Sequence, residues 1–219
     1  MSRSMPRDHG FTLIELLVVM AIVALLAGIG LLGIPAMLRS SEAEAVKTVV
    51  TQIAAALEAY SSNPKNGDFP PTALSNDAMP GFGVSRNDKN TGIESVMLCL
   101  HRPNMTTSFD IEDVPWPDAM DNLDQDRTRV TLTDFGRDNR NLYELLDWWG
   151  TPFAYFHHRD YDSAAVKNMG RINGLDGIVK AKPWKSPKGF WYRRNGFQLI
   201  SAGPDGVFNT GDDITNFER

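Results

Sequence analysis

The stretch Gly10-Phe11-Thr12-Leu13-Ile14-Glu15-Leu16-Leu17-Val18-Val19-Met20-Ala21-Ile22 opens a run, 11–38, that carries one charged residue, Glu15. A bilayer-spanning helix needs about 20 apolar residues, and this run is longer. A carboxylate in such a run costs on the order of 2.5–3.5 kcal/mol at the helix centre and less near an end, so its presence points to function. Before the run stands a polar leader, residues 1–10, with Arg3 and Arg7 against Asp8. That weak basic bias keeps the N-terminus cytoplasmic and exports everything after Arg39. An ordinary secretory signal places its apolar segment before the cut and loses it. Small residues at Ala27-Gly28 and Gly30 would suit such a cut.

The helical pattern does not stop at 38. Val46, Val49, Val50, Ile53, Leu57 and Tyr60 recur at spacings of three and four, one face of an amphipathic helix. Residues 11–60 thus read as one helix of about 75 Å at about 1.5 Å per residue. Pro35 removes a backbone hydrogen bond and is expected to kink or loosen it. Turn residues then crowd 61–83, including Asn66-Gly67-Asp68 and Pro70-Pro71, and predict a loop. Thr91-Gly92-Ile93-Glu94 is a capping-box pattern opening a short helix through Leu100. Further on, the pattern predicts a strand at 129–132, a short helix over 138–146, and strands at 153–157 and at 190–192 or 197–200. The division is a leader at 1–10, an apolar helix of transmembrane length at 11–38, its amphipathic continuation at 39–62, and a globular domain at 63–219.

The formal net charge of −5, with no block of like charges, gives no sign of a nucleic-acid partner. The single cysteine, Cys99, sits in the apolar run Val96-Met97-Leu98-Cys99-Leu100 and forms no intrachain disulfide; a buried inert thiol is expected. An exported domain of this kind needs another staple for its loops.

The order of leader, Gly10, Phe11 and Glu15 resembles the precursor N-terminus of type IV pilins and of the pseudopilins of type II secretion. In that family a short basic leader ends in Gly, Phe is the first mature residue and Glu the fifth. Besides the loop from Tyr60 to Leu74, with Gly67-Asp68-Phe69-Pro70, which resembles the post-helix loop of the major pseudopilin, two further phrases resemble that family. One is Asp147-Trp148-Trp149-Gly150-Thr151-Pro152-Phe153-Ala154-Tyr155, a turn and strand whose aromatics pack on the long helix. The other is the segment 201–216, Ser-Ala-Gly-Pro-Asp-Gly-Val-Phe-Asn-Thr-Gly-Asp-Asp-Ile-Thr-Asn. It sets three carboxylates among glycines, a composition suited to an ion that takes six to eight oxygens. The resemblance implies calcium (Ca2+) held by the side chains of Asp205, Asp212 and Asp213 and the carbonyls of Ala202 and Thr210. Residues 75–145 and 157–195 are much longer than the corresponding loops of the family.

The resemblance implies an α+β fold, a long N-terminal helix packed on a small antiparallel sheet with long irregular insertions. It implies a subunit of the bacterial inner membrane, single-pass, with a periplasmic domain, cut after Gly10 by a prepilin peptidase and methylated on Phe11. Glu15 then serves assembly into a periplasmic pseudopilus. The partners are other pseudopilin subunits, major and minor, and the inner-membrane secretion platform. A minor pilin or adhesin of a type IV pilus is the alternative within the class, and a membrane-tethered calcium-dependent binding module the alternative outside it.

Other candidates are weaker. His157-His158-x-Asp160 offers metal ligands, but adjacent histidines on a strand point to opposite faces. Asn122-x-Asp124-x-Asp126 alternates oxygen ligands like part of a calcium loop, although Arg127 stands where such a loop needs Gly. Gly81-Phe82-Gly83 lacks the third glycine of a dinucleotide fingerprint. No nucleophile, base and orienter can be assembled, so no enzyme is expected.

Overall fold

The computed structural model describes residues 11–74, 89–101, 109–128, 140–163, 166, 171–174 and 177–219. Gly10 and the leader, the strand expected at 129–132 and Gly81-Phe82-Gly83 lie outside them, as do the side chains of Ala27 and 29–39. The chain divides into two compact units, Met1–Ser41 and Glu42–Arg219.

Helix α1, Leu13–Ser62, contributes to both units and continues through Pro35. In the first unit Leu13, Ile14 and the residues from Leu16 to Leu26 are exposed on every side of the helix. Among the described residues no helix is long and apolar enough to cross a membrane. In the second unit the expected stripe is buried: Val46, Val49, Val50, Ile53 and Leu57 are all inside, with Tyr60 at the edge. Each such aliphatic residue contributes about 1.5–3 kcal/mol by leaving water.

That stripe shares one core with α2, Thr91–Leu100, and with Phe153, Tyr155, Phe197 and Leu199. The strands, numbered in chain order, are β1 (Met120–Asp121), β2 (Glu144–Leu145), β3 (Ala154–His157), β4 (Arg171–Gly174), β5 (Gly177–Lys180), β6 (Phe197–Ser201) and β7 (Ile214–Thr215). They form the pairs β1-β2 and β4-β5 and the sheet β3-β6-β7, all antiparallel. In the sheet Tyr155 lies opposite Leu199 and Ala154 opposite Ile200. Because side chains alternate along a strand, Tyr155 and Leu199 face the α1 stripe. Ala154, Phe156 and Ile200 face a second core with Tyr161, Ile172 and Phe208. The class is α+β, as expected.

Helix α2 has the bounds its sequence predicts but not the expected cap. Asn90 is the N-cap, in the left-handed region, with no side-chain cap bond. Thr91 instead donates its hydroxyl to the Thr72 carbonyl at 3.0 Å. A Cβ on Gly92 would run into the Tyr155 carbonyl, so only glycine lets the helix approach β3 this closely. The loop after α1 is tied to the same strand: Tyr155 donates its hydroxyl to the Pro70 carbonyl at 2.7 Å, and the His157 N–H bonds Thr72 Oγ1 at 2.7 Å.

The short helix expected over 138–146 is not formed in its described part. There the chain is extended, with Leu142, Leu145 and Leu146 all buried. Its backbone finds long-range partners: Thr128 N–H to the Arg140 carbonyl at 2.8 Å, Leu146 N–H to Ala119 at 2.8 Å, and Phe153 N–H to Leu145 at 3.1 Å. Pairing outweighs the local helical spacing of the leucines. The strand expected over 190–192 or 197–200 is β6; Trp191 makes only an isolated bridge to Lys185. The hairpin β4-β5 lies in a segment where no strand was expected.

Candidate functional site

At the foot of α1, Thr12 precedes the first helical residue and Glu15 occupies the third. The Thr12 N–H and hydroxyl both donate to Glu15 Oε2 at 2.8 Å, and the Glu15 N–H donates to Thr12 Oγ1 at 3.3 Å. This is a reciprocal capping box, in which the two side chains satisfy each other's orphan amides. The one charge in the apolar run thus has a local role as well: it closes the helix start. The pattern Thr-x-x-Glu is legible in the sequence, though the apolar setting draws attention to the charge first. Phe11, two residues before the helix, is 84 % exposed.

The C-terminal segment folds as a turn, Gly203–Asp205, a loop and strand β7. Gly203 has φ 69°, and a Cβ there would run into the Asp212 carbonyl, so the two arms of the loop touch backbone to backbone. Asp212 Oδ2 accepts the Asp205 N–H at 3.2 Å, and Asp212 Oδ1 accepts the Thr210 hydroxyl at 2.6 Å. Asp205 Oδ1 accepts the Val207 N–H at 2.8 Å. Asp213 Oδ2 accepts the Trp184 indole and the Asn209 N–H, each at 2.9 Å, and Oδ1 the Thr210 N–H at 3.4 Å. Burial pushes the Asp213 carboxyl up, with those bonds and the Arg219 charge acting against it.

The expected calcium ligands are therefore only partly brought together. Asp212 accepts the Asp205 backbone N–H, but the carboxylates of Asp205, Asp212 and Asp213 do not converge as one group of three ligands. The Thr210 carbonyl, however, accepts the Arg219 guanidinium at 2.7 Å, and Asp213 turns its carboxylate to Trp184. Arg219 also bonds the Gly211 and Asp213 carbonyls and lies over the Trp184 ring at 4.7 Å. A cation of the chain's own occupies the edge of the loop where the ion was expected to find a carbonyl. Sequence reading missed Arg219 and Trp184, for which nothing but their type gave a signal.

The phrase beginning at Asp147 forms the expected turn. Asp147 Oδ1 accepts the Trp149 and Thr151 amides at 3.1 and 2.9 Å, and Oδ2 accepts the Ser201 hydroxyl at 2.7 Å, pinning the turn to β6. His157 and His158 do not point to opposite faces, because β3 ends between them and a tight turn follows; their rings stack at 4.4 Å. His157 Nε2 lies 3.2 Å from Asp68 Oδ1, and Arg159 2.7 Å from Oδ2. Burial lowers the His157 pKa, with Asp68 acting against it, and the pair ties the post-helix loop to β3. Cys99 is buried, as expected of an inert thiol.

Residues 5–31 match the prokaryotic N-terminal methylation motif. The chain thus carries a type IV pilin-like signal of the kind that prepilin peptidases process, and Gly10, Phe11 and Glu15 fall inside the matched residues. No curated protein and no solved structure matches the chain significantly.

Proposed function

We propose that the chain is a structural subunit of a type II secretion pseudopilus, cut after Gly10, methylated on Phe11 and assembled with other pseudopilins into a periplasmic filament. The observation that carries this reading is a signal with Glu15 at the foot of a helix exposing apolar side chains all round. A helix apolar on every side needs lipid or other apolar helices around it. In the single subunit Glu15 is held by Thr12. In the filament it exchanges that partner for the free amine of a neighbour's Phe11, neutralising two charges in an apolar bundle and fixing register. The role is structural rather than enzymatic. The C-terminal loop would serve as a calcium staple, held by Asp205, Asp212 and Asp213 and, were Arg219 to leave it, by the Thr210 carbonyl.

A minor pilin or adhesin is the second reading, favoured by α2 and the hairpin β4-β5, which enlarge the globular unit beyond one helix and one sheet.

Glu15→Val is expected to be inserted and processed but absent from filaments, read by shearing and immunoblotting. Thr12→Ala removes the local cap alone, a loss of about 1 kcal/mol at the helix start, and should still assemble. Filaments of Glu15→Val at wild-type level would refute the pairing. Equal failure of both variants would reduce Glu15 to a capping residue.

A further inference from the structure

Among the described residues, the C-terminal loop included, the only group of three potential metal-ligating side chains is Glu94, Asp124 and Asp126, whose carboxylate oxygens all lie within 4.8 Å of one another. Three acidic groups alone do not make a site. Glu94 supplies a second observation: it is 0 % exposed, and among the described residues neither of its carboxylate oxygens has a hydrogen-bond partner. A buried carboxylate without a partner costs several kcal/mol unless something cationic or a proton meets it. The residue projects from the first turn of α2, where the backbone N–H of the N-cap Asn90 is already taken by the Arg171 carbonyl at 3.0 Å.

The opposing loop is built to present its two carboxylates. Asn122 brackets Asp126, accepting its N–H at 3.1 Å and donating to its carbonyl at 2.8 Å. Gln125, at φ 61°, turns the chain between the two aspartates. Beside them Glu144 is buried but satisfied, accepting the Asn90 amide at 2.6 Å and the Leu123 N–H at 3.0 Å. Glu144 thereby clamps the end of α2 to the loop, as Asn90 and Leu123 flank the two halves of the cluster. Burial first, then the charges of Asp126, Asp124 and Glu144, raises the Glu94 pKa well above the usual carboxylate range. Burial favours the protonated form, whereas the clustered negative charges would be relieved equally by a proton or by a bound cation.

We propose that Glu94, Asp124 and Asp126 form a calcium site joining α2 to the 122–126 loop. Oxygen-only donors select a hard cation, and irregular carboxylates from two separate segments suit calcium's six to eight flexible ligands at about 2.3–2.6 Å. Magnesium demands near-octahedral geometry and keeps several waters, for which a fully buried Glu94 leaves little place. The alternating Asn-x-Asp-x-Asp of the loop, set aside on sequence because Arg127 replaces the expected glycine, is completed across space by Glu94. The inference stands apart from the filament reading, since a subunit that never assembles can still hold the ion.

The test uses the full chain in detergent micelles, stripped with chelator and titrated with calcium chloride by calorimetry. The isosteric Glu94→Gln should bind one ion fewer than the wild type, and the same loss should appear in an Asp212→Ala, Asp213→Ala background that removes the C-terminal loop. Thermal melting gives an independent sign. In chelator Glu94→Gln should melt above the wild type, because it removes the repulsion; in calcium it should melt below. Equal ion counts with and without Glu94, or an Asp212→Ala, Asp213→Ala chain that binds none, would overturn the site. Melting curves of Glu94→Gln and wild type that keep the same order in calcium and in chelator would also overturn it, since they would mean that Glu94 is held by its proton.

Discussion

Asp147 shows how one side chain can join a turn to a sheet and make the join depend on pH. Burial pushes its carboxyl up to about 6, against the bonds from Ser201, Thr151, Trp149 and Gly150. The folded chain therefore holds the proton more tightly than the unfolded chain, where the group titrates at 3.8. Its contribution to stability is present in full below that value and is lost as pH rises through about 6. A displacement of about two pH units corresponds to about 3 kcal/mol. Asp147→Asn keeps an acceptor for the turn and an amide for Ser201 but no longer titrates. Denaturant melts between pH 4 and 7 should show the wild type losing stability relative to the variant across this window. Parallel profiles would mean that Asp147 stays ionised. Glu15 and Glu94 mark the limit of reading single residues. The sequence shows that Glu15 is unusual because its neighbours are apolar, whereas the burial of Glu94 follows from long-range packing and leaves no local trace.

At the scale of elements, legibility followed the length of the pattern. The Val46 to Tyr60 stripe repeats over four turns, and each of its positions is buried as its spacing predicts. Helix α2 is legible in a phrase whose capping chemistry the fold does not use, since Thr91 bonds the Thr72 carbonyl instead. The helical spacing of Leu142, Leu145 and Leu146 misleads because both sides of the segment are buried, so the two-residue alternation of a strand is absent. In β4-β5 the Asp176-Gly177 signal precedes a strand with one apolar pair, too short to register as a period. The C-terminal loop was recognised by its carboxylates, but how Arg219 and Trp184 engage them is set by tertiary contacts. If calcium is its staple, chelator should lower the melting temperature of the full chain and open 201–216 to proteolysis. Asp212→Ala with Asp213→Ala should make that region indifferent to chelator while leaving any response that depends on Glu94. Protection of 201–216 unchanged by calcium would leave Arg219 as the only staple.

The whole molecule joins two kinds of surface through one helix. The unit Met1–Ser41 presents apolar side chains outward from Phe11 to Leu26, and the unit Glu42–Arg219 buries its own core. An exposed apolar surface of that extent is an interaction surface, for lipid or for other copies, rather than the exterior of a free domain. Its use depends on where the chain is cut. A cut after Gly10 leaves the helix at the new N-terminus with Glu15 near its amine; a cut near Gly28 or Gly30 discards both. The most direct measurement is mass spectrometry of the mature chain recovered from cells that contain a prepilin peptidase. The account predicts an N-terminus at Phe11 carrying one methyl group, with the apolar helix retained. An N-terminus near Gly28 or Gly30, or a chain that keeps residues 1–10, would contradict it.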